Sequence, residues 1–169
     1  MTAASIMTSR LYTIKPDDSV ADALLLMHRK QVRNLPVVND QGEFIGLFGL
    51  NRLSRLLLPI SASEMGRFSL SNLHFLPDES ALVGERWSEV SGQPVVNFLE
   101  KKSKLRYCTP ETRFPALLAL LDESKGLSLP VIVLDGETRK LVGMVGAWDV
   151  LEGIVMGCLI GGKNGGESE

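Results

Sequence analysis

Leu35-Pro36-Val37-Val38 and Leu129-Pro130-Val131-Ile132 are two short apolar runs of nearly the same sequence, 94 positions apart. The amphipathic stretches that precede them share this offset, so that Val20 aligns with Phe114. An internal repeat of this kind indicates one structural unit present twice, and shared clefts form where such units meet. The sequence therefore predicts two copies of one fold related by a pseudo-two-fold axis.

Each copy has the pattern β-α-β-β-α, which predicts an α/β protein of the α+β type. In the first helix, apolar residues recur at the i, i+3, i+4, i+7 spacing that places them on one face. The elements expected in the first copy are a strand over 11–14, a helix capped by Asp18 or Ser19, a buried strand over 35–38, a turn over 39–42, a returning strand over 44–48 and a helix over about 50–58.

The second copy repeats these elements in the same order. They are a strand over 106–108, a helix capped by Thr112, a hairpin over 129–134 and 141–145, and a closing helix from Trp148 to about Ile160. A short lead-in helix is expected before each copy. The predicted domains are a first repeat over 1–58, an inter-repeat insertion over 59–94, a second repeat over 95–160 and a disordered tail over 161–169.

The insertion is too apolar for a solvated linker, because it carries Phe68, Leu73, Phe75 and Trp87. Structureless connections of this length are uncommon inside compact domains. These side chains are therefore expected to be largely buried, either by the body of the module or by a second chain.

Composition excludes several functional classes. The chain has 169 residues, 44% of them hydrophobic, and a formal charge of −2 with scattered basic residues, which argues against a nucleic-acid-binding surface. No window reaches the roughly 18 apolar residues that span a bilayer, and the start of the chain lacks the layout of a signal peptide. Two cysteines form no disulfide framework. The expected location is cytoplasmic, without membrane insertion.

The order and spacing of these segments resemble the CBS domain, named after cystathionine β-synthase. The first copy is similar in Ile6-Met7-Thr8, residues 14–20, residues 35–38 and residues 42–46; the second is similar in Thr109-Pro110-Glu111, residues 129–131, residues 141–143 and Trp148-Asp149-Val150. The resemblance covers about residues 5–58 and 95–157. It implies a Bateman module, which is a regulatory, non-catalytic pair of repeats that binds AMP, ADP, ATP or S-adenosylmethionine in the clefts between them. No cofactor is required.

The resemblance also implies a ribose-binding carboxylate. In the family this is the aspartate of a Gly-h-x-Ser/Thr-x-x-Asp motif at the head of the last helix. The second copy keeps Asp149 but has Gly146 at the hydroxyl position, whereas the first copy has Gly49 and Arg52 at these two positions. At most one competent nucleoside pocket is therefore expected. A carboxylate at a helix N-terminus also stabilises the helix without a ligand, so both roles stay open for Asp149.

Further ligand contacts follow from the same resemblance. The base is expected to meet the strand residues Tyr107 and Cys108 and the segment Leu127, Ser128, Leu129 and Pro130, although an aromatic ring at a strand edge is also common packing. In the first copy, Arg52 and the cation Arg33, which precedes Asn34, could meet phosphate. The alternative for both arginines is a solvated surface position.

Other chemistry is not indicated. His28 and His74 are separated and lack acidic or thiol neighbours, so no metal site is expected, and no catalytic residues are predicted. Family members commonly pair through apolar helix faces, so a homodimer is expected, and a separate effector protein is a possible partner. The candidates for this face are Leu53, Leu56, Leu57, Val150, Leu151, Ile154 and Val155. The alternative function is a scaffold that binds no nucleotide and mediates dimerisation or partner interaction.

Overall fold

The computed structural model describes residues 1–57, 79–123 and 129–161. Its helices are α1 (Ala3–Ile6), α2 (Val20–Lys30), α3 (Leu50–Leu57), α4 (Glu79–Val90), α5 (Phe114–Glu123) and α6 (Ala147–Gly161). Its strands are β1 (Asn34–Val38), β2 (Phe44–Gly49), β3 (Arg106–Cys108), β4 (Val131–Leu134) and β5 (Leu141–Val145), and 3-10 turns span Val95–Phe98 and Lys102–Lys104. The predicted α+β class is confirmed.

The strands form two small sheets. β1 pairs with β2, while β3, β4 and β5 form a sheet in that order, with β3 parallel and β5 antiparallel to β4. The strand predicted over 11–14 is wrong in extent, because only Ile14 pairs, through a single parallel bridge to Val37. Tyr12 and Thr13 are exposed, so water can satisfy their backbone groups.

The chain divides into two compact units, each with its own core. We call Tyr12–Gln41 with Ile45–Glu100 the first-repeat unit, and Met1–Leu11, Gly42–Phe44 and Lys101–Glu169 the second-repeat unit. Val37 and Val131 are fully buried in the cores of their respective units. Their equivalence confirms the duplication that the sequence predicts.

The lead-in segments are exchanged between the units. In the second-repeat unit, the Ala3 amide donates to the Thr112 carbonyl at 2.8 Å, and α1 therefore starts beside α5. In the first-repeat unit, the Val95 amide donates to the Asp18 carbonyl at 2.9 Å, beside α2. The compact units therefore differ from the predicted domains, because each repeat packs on the lead-in helix that precedes the other repeat in the sequence.

Helix starts show how local sequence sets the fold. Ser19 caps α2 as predicted, since its hydroxyl accepts from the Asp22 amide at 3.1 Å. The predicted cap of α5 is wrong: the Thr112 hydroxyl accepts from the Thr109 amide at 3.1 Å, and the helix begins only at Phe114. Thr112 thus closes the turn after β3.

The insertion contributes α4, which packs on the first-repeat unit. Trp87 and Val90 are partly buried against the core there, so for Trp87 the partner is the module itself. Phe68, Leu73 and Phe75 lie outside the described residues, as do His74 and the tail from 162 onward. None of the helices described for this chain is long and apolar enough to cross a membrane.

The prediction of which apolar residues form the dimerisation face is partly wrong. Leu53 and Val150 are 2% and 5% exposed and belong to the cores of their units, and Leu57 packs on the core of the first-repeat unit. The exposed apolar residues of α6 form what we call the α6 face. Its members are Trp148, Leu151, Ile154, Val155 and Met156.

Candidate functional site

Asp149 lies in the first turn of α6, where each oxygen of its carboxylate accepts one hydrogen bond. Oδ2 accepts from the Gly146 amide at 2.6 Å, which caps the helix, and Oδ1 accepts from the Thr8 hydroxyl at 2.9 Å. Thr8 is held by β-bridge hydrogen bonds with Met144 at 2.9 and 3.1 Å. The helix cap fixes one carboxylate oxygen, while the other accepts a hydroxyl hydrogen bond.

A polar cavity of about 350 Å³ opens beside this carboxylate. It lies between the lead-in segment and α6 of the second-repeat unit, and Thr8 at its rim is exposed. The lining residues are Ser5, Ile6, Met7, Thr8, Asp149, Glu152, Gly153 and Met156. Asp149 therefore faces open space as well as its own helix.

Tyr107 and Cys108 line a different cavity, of about 280 Å³, together with Thr109, Leu134, Asp135, Gly136 and Arg139. The Tyr107 ring packs edge-to-face on Phe44, with centroids 6.1 Å apart and an interplanar angle of 76°. Burial raises the pKa of the Tyr107 hydroxyl, and the charge of Arg139 opposes this in part. Tyr107 as a whole residue is 41% exposed, so it combines a packing contact with an accessible surface.

Cys108 is a buried free thiol. Burial raises its pKa, and a hydrogen bond with Thr112 offsets only part of that effect. A raised pKa leaves less thiolate, the reactive form of a cysteine, at neutral pH.

The residues expected to share one nucleoside pocket lie at the two ends of the three-stranded sheet. Val145, which leads to Asp149, pairs with Val131 at one end of β4, whereas Cys108 pairs with Val133 near the other. Leu129 and Pro130 are buried before β4, and Leu127 and Ser128 lie outside the described residues. The role of these residues in ligand binding stays a prediction.

The first-repeat unit carries the predicted cations. Arg33 is exposed and lines a cavity of about 250 Å³ with His28, Gln31 and Leu50 among its walls. Asn34 is the first residue of β1. Its side-chain oxygen Oδ1 packs close to Gly49, 2.9 Å from the position that a Cβ atom would take there. Arg52 is half-buried in the first turn of α3, and its buried Nε has no hydrogen-bond partner among the described residues.

Sequence reasoning missed Thr8 and Glu100. Thr8 follows the first lead-in helix, and its backbone amide donates to the Met144 carbonyl near the end of β5. Glu100 follows the second lead-in helix, and its backbone amide donates to the Leu47 carbonyl near the end of β2. The similarity of Ile6-Met7-Thr8 to Phe98-Leu99-Glu100 is the sequence signal that could have identified these two residues as equivalent. Within residues 1–57, 79–123 and 129–161, no three His, Cys, Asp or Glu side chains cluster to hold a metal ion.

Comparison with known proteins finds the same architecture. CBSX2 from Arabidopsis thaliana is 24% identical, with a TM-score of 0.68 over 92% of this chain and 94% of that one. A structure of CBSX2 in complex with AMP gives 24% identity and a TM-score of 0.65, covering 92% and 96% of the two chains. A putative acetoin utilization protein from Vibrio cholerae is 14% identical, with a TM-score of 0.66 over 99% and 98%.

Sequence comparison identifies the family. The uncharacterized protein MJ1426 of Methanocaldococcus jannaschii is 40% identical over 42 residues, a stretch that spans 25% of each chain. The sequence profile of the CBS domain matches residues 3–59 and 89–156, which is most of the chain. The protein therefore belongs to the CBS domain family, with two repeats.

Proposed function

We propose that this chain is a regulatory module that binds an adenosine-containing ligand, such as AMP, ADP, ATP or S-adenosylmethionine. Membership of the CBS domain family supports this function, and so does the AMP complex of CBSX2, a protein with the same fold. The module would regulate rather than catalyse, and it would act through its own assembly or through a separate effector protein.

The observation that carries the proposal is the hydrogen bond from the Thr8 hydroxyl to Asp149 Oδ1. A ribose hydroxyl would donate to the same carboxylate in the same way. A carboxylate oxygen has two lone pairs, so Oδ1 can accept from a ligand beside Thr8 or in its place. Because Thr8 is exposed, its hydroxyl can turn to water when a ligand displaces it.

A thermal-shift screen tests this function directly. Purified chain is heated with AMP, ADP, ATP, S-adenosylmethionine or adenosine, with guanosine and cytidine monophosphates as controls. A specific ligand at about 100 times its dissociation constant stabilises the folded state by about 2.7 kcal/mol, so the melting temperature rises with ligand concentration. The proposal fails if no adenosine-containing compound raises it more than the two control nucleotides.

A scaffold that binds no nucleotide is the second candidate. It is favoured by the fact that both oxygens of Asp149 already have partners within the protein. The same screen separates the two functions, since a pure scaffold would show no ligand-dependent shift.

We further propose that signalling involves a homodimer that pairs through the α6 face. Trp148 is 76% exposed, and Leu151 and Val155 are 53% and 55% exposed on the same helix. An apolar face of this kind is costly in water, and a second copy would offer a matching apolar face.

Leu151→Glu is expected to convert the homodimer into a monomer, because it places a charge within the apolar α6 face. The mass measured by sedimentation velocity should fall from twice the 18.5 kDa mass of the chain to the mass of one chain. Glu152→Gln on the same helix is the matched control and should leave the dimer intact. A dimer that persists in Leu151→Glu at the same concentration would contradict the proposed interface.

A further inference from the structure

The cavity of about 280 Å³ in the second-repeat unit lies at the carboxyl ends of β3 and β4, which are neighbouring parallel strands. Thr109 follows β3 and Asp135 follows β4, and both residues line the cavity. Side chains that follow parallel strands meet at one edge of a sheet, and ligands commonly bind at such an edge. The volume is close to the lower limit of about 300 Å³ for small-molecule sites, so a small ligand fits best.

Arg139 lines this cavity from a strained backbone position. Its φ is 55°, in the left-handed region that glycine adopts far more readily than residues with a side chain. In the first repeat, Gly42 holds the equivalent position, two residues before the returning strand, with a φ of 79°. The second repeat therefore has an arginine at a turn position that favours glycine. Strained residues of this kind cluster at functional sites, which directs attention to the guanidinium of Arg139.

Asp135 holds the turn that carries Arg139. Its Oδ1 accepts from the Glu137 amide at 3.1 Å and from the Thr138 amide and hydroxyl at 2.7 and 2.8 Å. These hydrogen bonds, chiefly those from Thr138, lower the pKa of the Asp135 carboxyl, so it is charged at neutral pH. Because all three donors reach Oδ1, the other oxygen, Oδ2, can accept from a ligand.

Arg139 and Asp135 carry opposite charges on the walls of one cavity, yet no ion pair joins them. The Arg139 amide donates to the Asp135 carbonyl at 3.0 Å, so their backbones are close while their charged groups stay apart. Arg139 is exposed, and its guanidinium is paired with none of the carboxylates in the described part of the chain. Both charged groups are therefore available to a third molecule.

Tyr107 gives the same cavity an accessible aromatic surface. The residue is 41% exposed, and its ring packs edge-to-face on Phe44. The charge of Arg139 acts on the Tyr107 hydroxyl, which places the guanidinium near the ring. Leu134 and Cys108 add apolar wall to the cavity. One side of a ligand would therefore meet charged groups, and another side would meet apolar surface.

These groups together select a class of ligand. A simple anion would suit Arg139 but be repelled by Asp135, and a simple cation would suit Asp135 but be repelled by Arg139. An α-amino acid satisfies both charges, because it carries a carboxylate and an ammonium group on one carbon atom. An aromatic side chain on that carbon would pack favourably against the ring of Tyr107.

We propose that this cavity binds a free aromatic amino acid. Its carboxylate accepts from the Arg139 guanidinium, its ammonium group donates to Asp135 Oδ2, and its ring packs on Tyr107. This goes beyond the proposed function, because neither Asp149 nor an adenosine-containing ligand takes part.

Isothermal titration with phenylalanine is the test, and three analogues each lack one of its groups. Phenethylamine lacks the carboxylate, 3-phenylpropionate lacks the ammonium group, and alanine lacks the ring. Phenylalanine is expected to bind most tightly, with each analogue weaker by roughly tenfold where a charged hydrogen bond is lost. An analogue that binds as tightly as phenylalanine would overturn the proposal, and so would the absence of saturable phenylalanine binding up to its solubility limit.

Arg139→Gln is expected to weaken phenylalanine binding roughly tenfold or more, while phenethylamine, which has no carboxylate, should bind as it does to the wild type. Arg113→Gln, at an exposed site in the same unit, is the matched control and should leave phenylalanine affinity unchanged. Equal phenylalanine affinity in wild type and Arg139→Gln, or an equal loss in Arg113→Gln, would contradict the proposed site.

Arg139→Gly separates binding from structure, because glycine suits a φ of 55° better than arginine does. The melting temperature without ligand should therefore stay equal or rise, while phenylalanine affinity falls as in Arg139→Gln. A melting temperature lowered by several degrees would show that the Arg139 side chain serves the fold, and it would overturn the proposal.

Discussion

Asp149→Ala is expected to weaken binding of an adenosine-containing ligand by about 1.5–3 kcal/mol, which is roughly a 10-fold to 150-fold rise in dissociation constant. The loss follows from removing the carboxylate that would accept the ribose hydroxyl at the head of α6. Titration calorimetry of wild type and variant with adenosine and AMP, well below the melting temperature, measures it. Equal affinities for wild type and variant would remove the ribose role of Asp149.

Two further variants separate ligand binding from helix capping. Asp149→Asn keeps an oxygen acceptor without the charge, so its affinity should lie between those of wild type and Asp149→Ala. Thr8→Ala removes the internal hydroxyl that now donates to Oδ1. If a ribose hydroxyl competes with Thr8 for that oxygen, Thr8→Ala should strengthen binding severalfold. If Asp149 only caps α6, the variants at Asp149 should lower stability by about 0.5–2 kcal/mol without changing affinity.

Much of the local structure could be predicted from the sequence, because it depends on near neighbours. The apolar spacing from Val20 to Met27 predicted the buried face of α2, and both ends of that stretch are buried. Ser19 was identified as a cap because the residue that it contacts, Asp22, is three positions away. The runs at 35–38 and 129–134 were recognised as strands because they are short, apolar and followed by turn residues.

The exchange of the lead-in segments could not be predicted from local patterns. Thr8 and Asp149 are 141 residues apart in the chain, and no periodicity relates them. The burial of Glu100 could not be predicted for the same reason, since a glutamate that follows a short helix is usually exposed to solvent. Only the fold shows that it is buried beside Gly49.

The outward side of α6 was predicted only in part for a different reason. This helix is apolar on most sides, so its sequence does not show which side meets the core. The structure places Val150 inward, whereas Leu151 lies outward, where Trp148 extends the exposed surface beyond the predicted set. Hydrophobicity alone therefore identified the helix but not its buried side.

Phe48→Ala is expected to have the largest effect on stability, about 3–5 kcal/mol less free energy of unfolding. Phe48 is the largest of the fully buried side chains in the described residues, and it lies on β2 in the core of the first-repeat unit. Its loss would remove favourable burial and leave a cavity, which close-packed neighbours fill only partly. Urea unfolding followed by circular dichroism measures the change.

The matched control lies two residues further along the chain. Leu50 is 41% exposed at the start of α3, so Leu50→Ala should change the free energy of unfolding by no more than about 0.5 kcal/mol. Phe48→Leu keeps most of the buried volume and should cost less than Phe48→Ala. The order Phe48→Ala, Phe48→Leu, Leu50→Ala thus follows the apolar surface that each change removes from the core. Comparable losses for Phe48→Ala and Leu50→Ala would mean that β2 does not place Phe48 in the core, and the assignment of the first-repeat core would then be wrong.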